Sequence, residues 1–394
     1  MKRILLLAAA LLIALPLALA GYEIASEPGS NEASSPVTDK AAQVARGEYL
    51  AKAGNCMACH TVRGGDAYAG GRAIPTPFGT VYSSNITPDN ETGIGDWTAD
   101  DFWRAIHNGR SKDGSFLYPA FPYPNYTKVT RADADAMFAY FRTLAPVRKP
   151  NRENELRFPY NQRILLAFWR ALYFTPGSYQ ADANRPAEWN RGAYLVQGLG
   201  HCSACHTGRT ALGGASHEDL SGGMIPMLGW YASSLASDAG PGEWELDELS
   251  ALLKSGVFPR GAVFGPMAEV VGRSLQHLSE EDIHAMSTYL KSLPSAGPRR
   301  QEDGMLAGAD ADALLRQGAK LYGTHCAECH GDDGKGKPPA YPPLAGNVSL
   351  GANPAVNAVR IVLNGGYPPS THGNPRPYGM PPFSTALSDA EVAA

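Results

Sequence analysis

Six cysteines occur in this chain, and all six fall in one pattern used three times. Cys56-Met57-Ala58-Cys59-His60, Cys202-Ser203-Ala204-Cys205-His206 and Cys326-Ala327-Glu328-Cys329-His330 each read C-x-x-C-H. That spacing suits attachment of heme c, in which two thiols add to the two vinyl groups and the adjacent histidine ligates the iron. A redox dithiol would need one copy in a strand–helix setting, and a zinc site would need pairs that complement each other. Three complete copies, each with its own histidine, answer to neither. The sequence therefore predicts three covalently bound heme c groups. Cys56, Cys59, Cys202, Cys205, Cys326 and Cys329 are the attachment residues, and His60, His206 and His330 the proximal ligands.

Bacteria attach this cofactor outside the cytoplasm, and the N-terminus agrees. Lys2 and Arg3 precede an apolar run over residues 4–15 and the small-residue site Ala18-Leu19-Ala20. This is the form of a signal peptide over 1–20, cleaved near Ala20/Gly21. Residues 21–40, rich in Ser, Pro, Glu and Asn, read as a flexible leader. With 34 basic against 38 acidic residues, nothing in the charge balance calls for nucleic acid. After residue 20 no stretch approaches the roughly 20 apolar residues of a membrane span. The nearest, residues 164–174, fits a buried connecting helix or an interfacial, partner-docking one, with Arg163 and Arg170 snorkelling.

The chain repeats around the motifs. Arg46-Gly47-Glu48-Tyr49-Leu50 precedes the first and Arg191-Gly192-Ala193-Tyr194-Leu195 the second, with Gln317-Gly318-Ala319-Lys320-Leu321-Tyr322 before the third. Tyr82-Ser83-Ser84-Asn85-Ile86 pairs with Tyr231-Ala232-Ser233-Ser234-Leu235. Trp97 and Trp244 each open a helix ending at Gly109 or Gly256, and both pairs lie 147 positions apart. Closing helices start at Thr130 and Ser279, carry Met137 and Met286 as core, and a third starts at Ser388. The order helix, motif, long loop, helix, loop, helix resembles a small class I cytochrome c domain. The expected fold is all-α: three such domains in tandem over 41–148, 188–295 and 309–394, joined by linkers 149–187 and 296–308. By analogy the third closing helix would run some residues past Ala394.

A methionine opposite the histidine would raise the iron's potential. Met267, in Phe264-Gly265-Pro266-Met267, and Met380, in Tyr378-Gly379-Met380-Pro381-Pro382, lie in Gly/Pro loops ahead of closing helices and are the expected sixth ligands. In the first repeat the slot 61 positions past the histidine holds Phe121, and no methionine lies between Met57 and Met137. Tyr118, Tyr123 or an open position remain for that iron. His107 aligns with Lys254 and is expected on a solvated face, and His201 and His325 are expected at the surface.

With these residues in hand, the chain resembles the triheme cytochrome c subunits of bacterial membrane-associated dehydrogenases. The resemblance spans the mature chain and rests on the three motifs plus Ser84-Asn85-Ile86-Thr87-Pro88-Asp89, Leu117-Tyr118-Pro119-Ala120, Glu188-Trp189-Asn190-Arg191 and Phe264-Gly265-Pro266-Met267-Ala268-Glu269. It implies a periplasmic subunit, peripherally bound to the inner membrane, that takes electrons from a catalytic dehydrogenase subunit and passes them to ubiquinone. The alcohol dehydrogenase branch commonly has Met in the Phe121 slot, so this chain departs from it. No nucleotide fingerprint or nucleophile constellation argues for substrate chemistry here. The competing readings are a peroxidase-like heme enzyme, using an open iron in the first repeat, and a free soluble shuttle.

Overall fold

The computed structural model describes residues 14–15, 17–18, 21–22 and 38–394, except 216–218, 237–240, 295–308, 339 and 351–354. The expected signal peptide over 1–20, the leader and the 296–308 linker fall largely or wholly outside the described residues.

Helix boundaries follow local capping chemistry. The opening helix Lys40–Ala53 starts at Asp39, whose carboxylate accepts the Ala41 and Ala42 amides. The middle helix Ala99–Asn108 begins with a reciprocal Thr98/Asp101 box and stops at Gly109, which takes φ 61°. The second repeat repeats the device with Glu245/Glu248 and Gly256 around Leu246–Ser255. In the third, Val356–Asn364 stops at Gly365, and Ser388/Glu391 box the start of Asp389–Ala393. The closing helices Arg131–Phe141 and Glu280–Lys291 are capped by Thr130 and Ser279, and Met137 and Met286 are core residues on them.

Opening and closing helices cross at a glycine each time. A Cβ on Gly47 would stand 1.9 Å from Ala136 O, one on Gly192 1.9 Å from Ala285 O, and one on Gly318 2.2 Å from Ala394 O. Only a residue without a side chain lets the backbones approach so closely. An ion pair pins two of the crossings: Arg46 Nε lies 2.7 Å from Asp133, and Arg191 Nε 2.7 Å from Asp282.

The fold is largely helical, but the all-α expectation needs amending. Among the described residues are three small antiparallel sheets, pairing Ala73–Thr76, Gly79–Tyr82 and Glu155–Leu156, then Gly223–Ile225 with Trp230–Ala232, and Val257–Phe258 with Gly261–Ala262. At two to four residues per strand they are clasps on long loops rather than a core layer.

The contacts divide the chain into two compact units. One comprises residues 1–186, 193–204 and 209–218, the other 187–192, 205–208 and 219–394. In the first unit, residues 193–204 contribute Leu195, Val196 and Leu199, all essentially inaccessible. They follow the helix Ala187–Tyr194 as a wide π turn, Leu195–Leu199, in which Gly200 N donates to Leu195 O at 2.7 Å. The second unit is organised by Leu249, Leu253, Ile283, Met286 and Leu290 on its middle and closing helices.

The 164–174 stretch is a short 3-10 turn, Arg163–Leu165, followed by the helix Leu166–Tyr173. It has two faces. Leu166 and Ala167 pack on Phe116, while Ile164, Leu165, Phe168 and Leu172 stay exposed, Leu172 at 57%. Arg170 corrects the snorkelling expectation. It is 2% exposed, lies over Phe174 at 4.5 Å and Phe116 at 5.1 Å, and bonds to Asn108 O. A guanidinium is weakly hydrated and stacks on rings, so it enters an aromatic core more readily than its charge suggests. Among the described residues no helix is long and apolar enough to cross a membrane.

Candidate heme-attachment sites

Each motif forms a single helical turn or slightly more: Cys56–His60, Ser203–His206 and Ala327–His330. One turn brings the two cysteines of a C-x-x-C pair to the same side. None of the six cysteines is in a disulfide. Burial pushes the Cys56 thiol up to about 12, and the neighbouring Cys59 adds to the shift. Burial likewise raises Cys326, with Cys329 beside it.

The histidines share one hydrogen bond. Nδ1 lies 2.7 Å from Ser84 O in His60, 2.7 Å from Ser233 O in His206, and 3.0 Å from Pro342 O in His330. A carbonyl only accepts, so Nδ1 carries the proton and Nε2 keeps its lone pair for a metal. The same bond orients the ring and makes Nε2 more basic. Burial lowers the proton affinity of His60 and His206, partly offset by these bonds, which favours the neutral, ligating form.

A left-handed glycine builds each pocket. Gly70, Gly222 and Gly336, at φ 66°, 89° and 64°, donate their amides to the carbonyls of His60, His206 and His330 at 2.7, 2.8 and 2.8 Å. Their missing side chains leave room for the segment that supplies the Nδ1 acceptor. A Cβ would meet Ser84 C at 2.3 Å, Ser234 N at 2.8 Å and Tyr341 O at 2.3 Å respectively. A cation caps each turn as well. Arg72, Arg209 and Lys337 donate to the carbonyl of the residue preceding the second cysteine, namely Ala58, Ala204 and Glu328. Neither the glycines nor the cations were singled out from sequence. Their distances from the motifs vary between repeats, which hides the equivalence.

At the expected sixth-ligand positions the three repeats differ. Met380 is fixed by paired backbone bonds with Gly366, at 2.8 and 3.0 Å. Met267 lies in the first turn of the helix Gly265–Arg273 rather than in a loop, and is half-buried. Gly265, at φ 56°, tucks under Trp230 there, so the Gly-Pro pair starts a helix instead of continuing a loop. Phe121 packs against Tyr126 at 5.2 Å. Tyr118 lies under Arg163 at 4.9 Å, and Tyr123 is fully buried beside Phe174 and Trp169.

Two histidine expectations are corrected. His107 is 6% exposed and stacks on Trp103 at 4.2 Å, because the aromatic one turn earlier draws the ring into the core. His201 is half-buried, edge-on to Tyr126 at 5.5 Å, with Nδ1 bonded to Leu199 O at 2.8 Å. His325 is exposed as expected.

Cysteine pairs on one turn outside any disulfide, with an imidazole oriented by its Nδ1–carbonyl bond beside them, fit covalent attachment of heme c. The cytochrome c family model matches residues 44–145 and 315–394. The gluconate 2-dehydrogenase cytochrome c subunit of Pantoea cypripedii is 42% identical over 89% of this chain and 83% of its own length. The cytochrome c subunit of quinone alcohol dehydrogenase from Gluconobacter oxydans is 40% identical, over 89% and 77%. The fructose dehydrogenase cytochrome subunit of Gluconobacter japonicus is 36% identical, over 89% and 76%. With its attachment motifs and this extent of similarity, the chain belongs to the family of dehydrogenase cytochrome c subunits.

Proposed function

We propose that this chain is an exported triheme cytochrome that relays electrons from the catalytic subunit of a partner dehydrogenase to ubiquinone, on the periplasmic face of the inner membrane. The observation that carries the reading is the repeated site: three motifs, three Nδ1–carbonyl bonds and three glycine gaps. The relatives, named as cytochrome subunits of gluconate, alcohol and fructose dehydrogenases, support a dehydrogenase partner. Each cysteine pair would hold one heme c and each motif histidine its iron. Met267 and Met380 would supply the sixth ligand in the second and third repeats. The bound group supplies one-electron exchange at iron. The Nδ1–carbonyl bond orients each imidazole, and burial favours the neutral form of His60 and His206. The exposed apolar face of Leu166–Tyr173, together with the exposed Phe158, supports peripheral membrane contact.

Purification of the tagged full chain from membranes in mild detergent tests the reading. The expected result is a co-purifying dehydrogenase whose substrate reduces all three hemes, and whose heme electrons pass to an added ubiquinone analogue. A lone soluble cytochrome that no alcohol, sugar or aldehyde reduces would overturn it. Carbon monoxide binding and peroxide turnover at the first heme would then favour a heme enzyme.

A further inference from the structure

The first unit contains one complete attachment motif and, through residues 193–204, the first thiol of the second. Between them stands the helix Tyr123–Tyr126, which follows the Phe121 slot. The Tyr126 hydroxyl donates to Gly54 O at 2.8 Å, two residues before Cys56. The Tyr126 ring packs on Phe121 on one side and on His201, the neighbour of Cys202, on the other. Asn125 Nδ2 donates both to Gln197 O at 2.9 Å and to Ser203 Oγ at 2.8 Å, and Ser203 lies inside the second motif. Asn125 and Tyr126 are buried, at 4% and 7% exposure.

The sequence carries a matching irregularity. Arg46 precedes Cys56 by ten positions, whereas Arg191 precedes Cys202 by eleven. The extra residue is absorbed in the π turn Leu195–Leu199. There the His201 amide turns to Gly198 O, and Gln197 O takes the Asn125 side chain. An insertion that widens a helix costs stability unless its displaced groups find partners. Here a partner comes from the first repeat.

We propose that Asn125 and Tyr126 are positioning residues that lock the second attachment stem onto the distal loop of the first. They thereby tie the Cys202 end of the second motif to the first repeat within one unit and make the potentials of the two hemes interdependent. This rests on the attachment of heme at both motifs. Two chromophores held rigidly side by side give a bisignate circular dichroism couplet in the Soret band, and its amplitude depends on their separation and angle. Mass spectrometry of the full-length protein first counts the covalently bound hemes. A wild-type chain lacking either of the first two overturns the attachment reading and the bridge with it.

With three hemes present, wild type is expected to show the couplet. Asn125→Ala and Tyr126→Leu are expected to lose it and to shift the first two midpoint potentials while leaving the third unchanged. Tyr126→Phe, which keeps the ring and deletes only the hydroxyl, is expected to weaken the couplet, and with Asn125→Ala carries the test should Tyr126→Leu fail to mature. An absent couplet in wild type, or one of unchanged amplitude in Asn125→Ala and Tyr126→Phe with all hemes attached, overturns the proposal.

Discussion

A Cβ at Gly47 or Gly192 would collide with a backbone carbonyl, which cannot rotate away, so the crossing helices would have to separate. Gly47→Ala and Gly192→Ala are each expected to destabilise the protein by about 1–3 kcal/mol in denaturant melts. Gly323→Ala is the contrast. It lies on the opening helix of the third repeat with nothing within 4 Å, so it should be neutral or stabilise by about 0.4–1 kcal/mol. At the sixth-ligand positions, Met267→Ala and Met380→Ala should each lower the potential of one heme. Phe121→Met should raise that of the first, all within the roughly 0.8 V span that axial ligands command. Site-resolved potentiometry checks this, and a first heme at or above the other two in wild type would sink the reading that it lacks a methionine ligand. The cysteines and histidines are legible because covalent chemistry fixes their spacing. His107 and Arg170 are not, because a titratable side chain on a helix is read as solvent-facing unless the aromatics that fold over it are known to be near.

At the level of elements, the helix ends were readable. Thr98, Thr130, Ser279 and Ser388 announce starts, and Gly109 and Gly256 announce stops, by local chemistry that needs no tertiary context. The π turn is not legible in sequence, since the one residue added before Cys202 can be absorbed in a loop as easily as in a turn of helix. The Leu166–Tyr173 helix makes its own prediction. Leu172→Asp and Phe168→Asp, on the exposed face, should weaken the proposed membrane contact, read as a shift toward the soluble fraction, with little effect on the melting temperature. Leu166→Asp, facing Phe116, should instead unfold that region. The loop after Ile86 gives a pH test. Hydrogen bonds from the Thr92 hydroxyl and amide hold the Asp89 carboxyl below the usual carboxylate range. Its stabilising contribution is present above the unfolded pKa and lost as pH falls through the lower folded value. Melting temperature should therefore fall more steeply below about pH 4 in wild type than in Asp89→Asn.

Across the whole molecule, the repeat pattern assigns residues 193–204 to the second motif, while packing assigns them to the first unit. Repetition in sequence records ancestry, and packing need not respect it. A fragment ending at residue 186 would lack Leu195, Val196 and Leu199. It is expected to melt lower than one ending at residue 218, measured by thermal scans. The histidine anchors carry a last consequence. Their acceptors are main-chain oxygens of Ser84, Ser233 and Pro342, three residues with little in common as side chains. A point mutation can exchange any of those side chains and leave the oxygen in place. The bond that tunes each iron ligand is thus inherited as a bend in the chain rather than as a letter in the sequence, and substitution alone has little purchase on it.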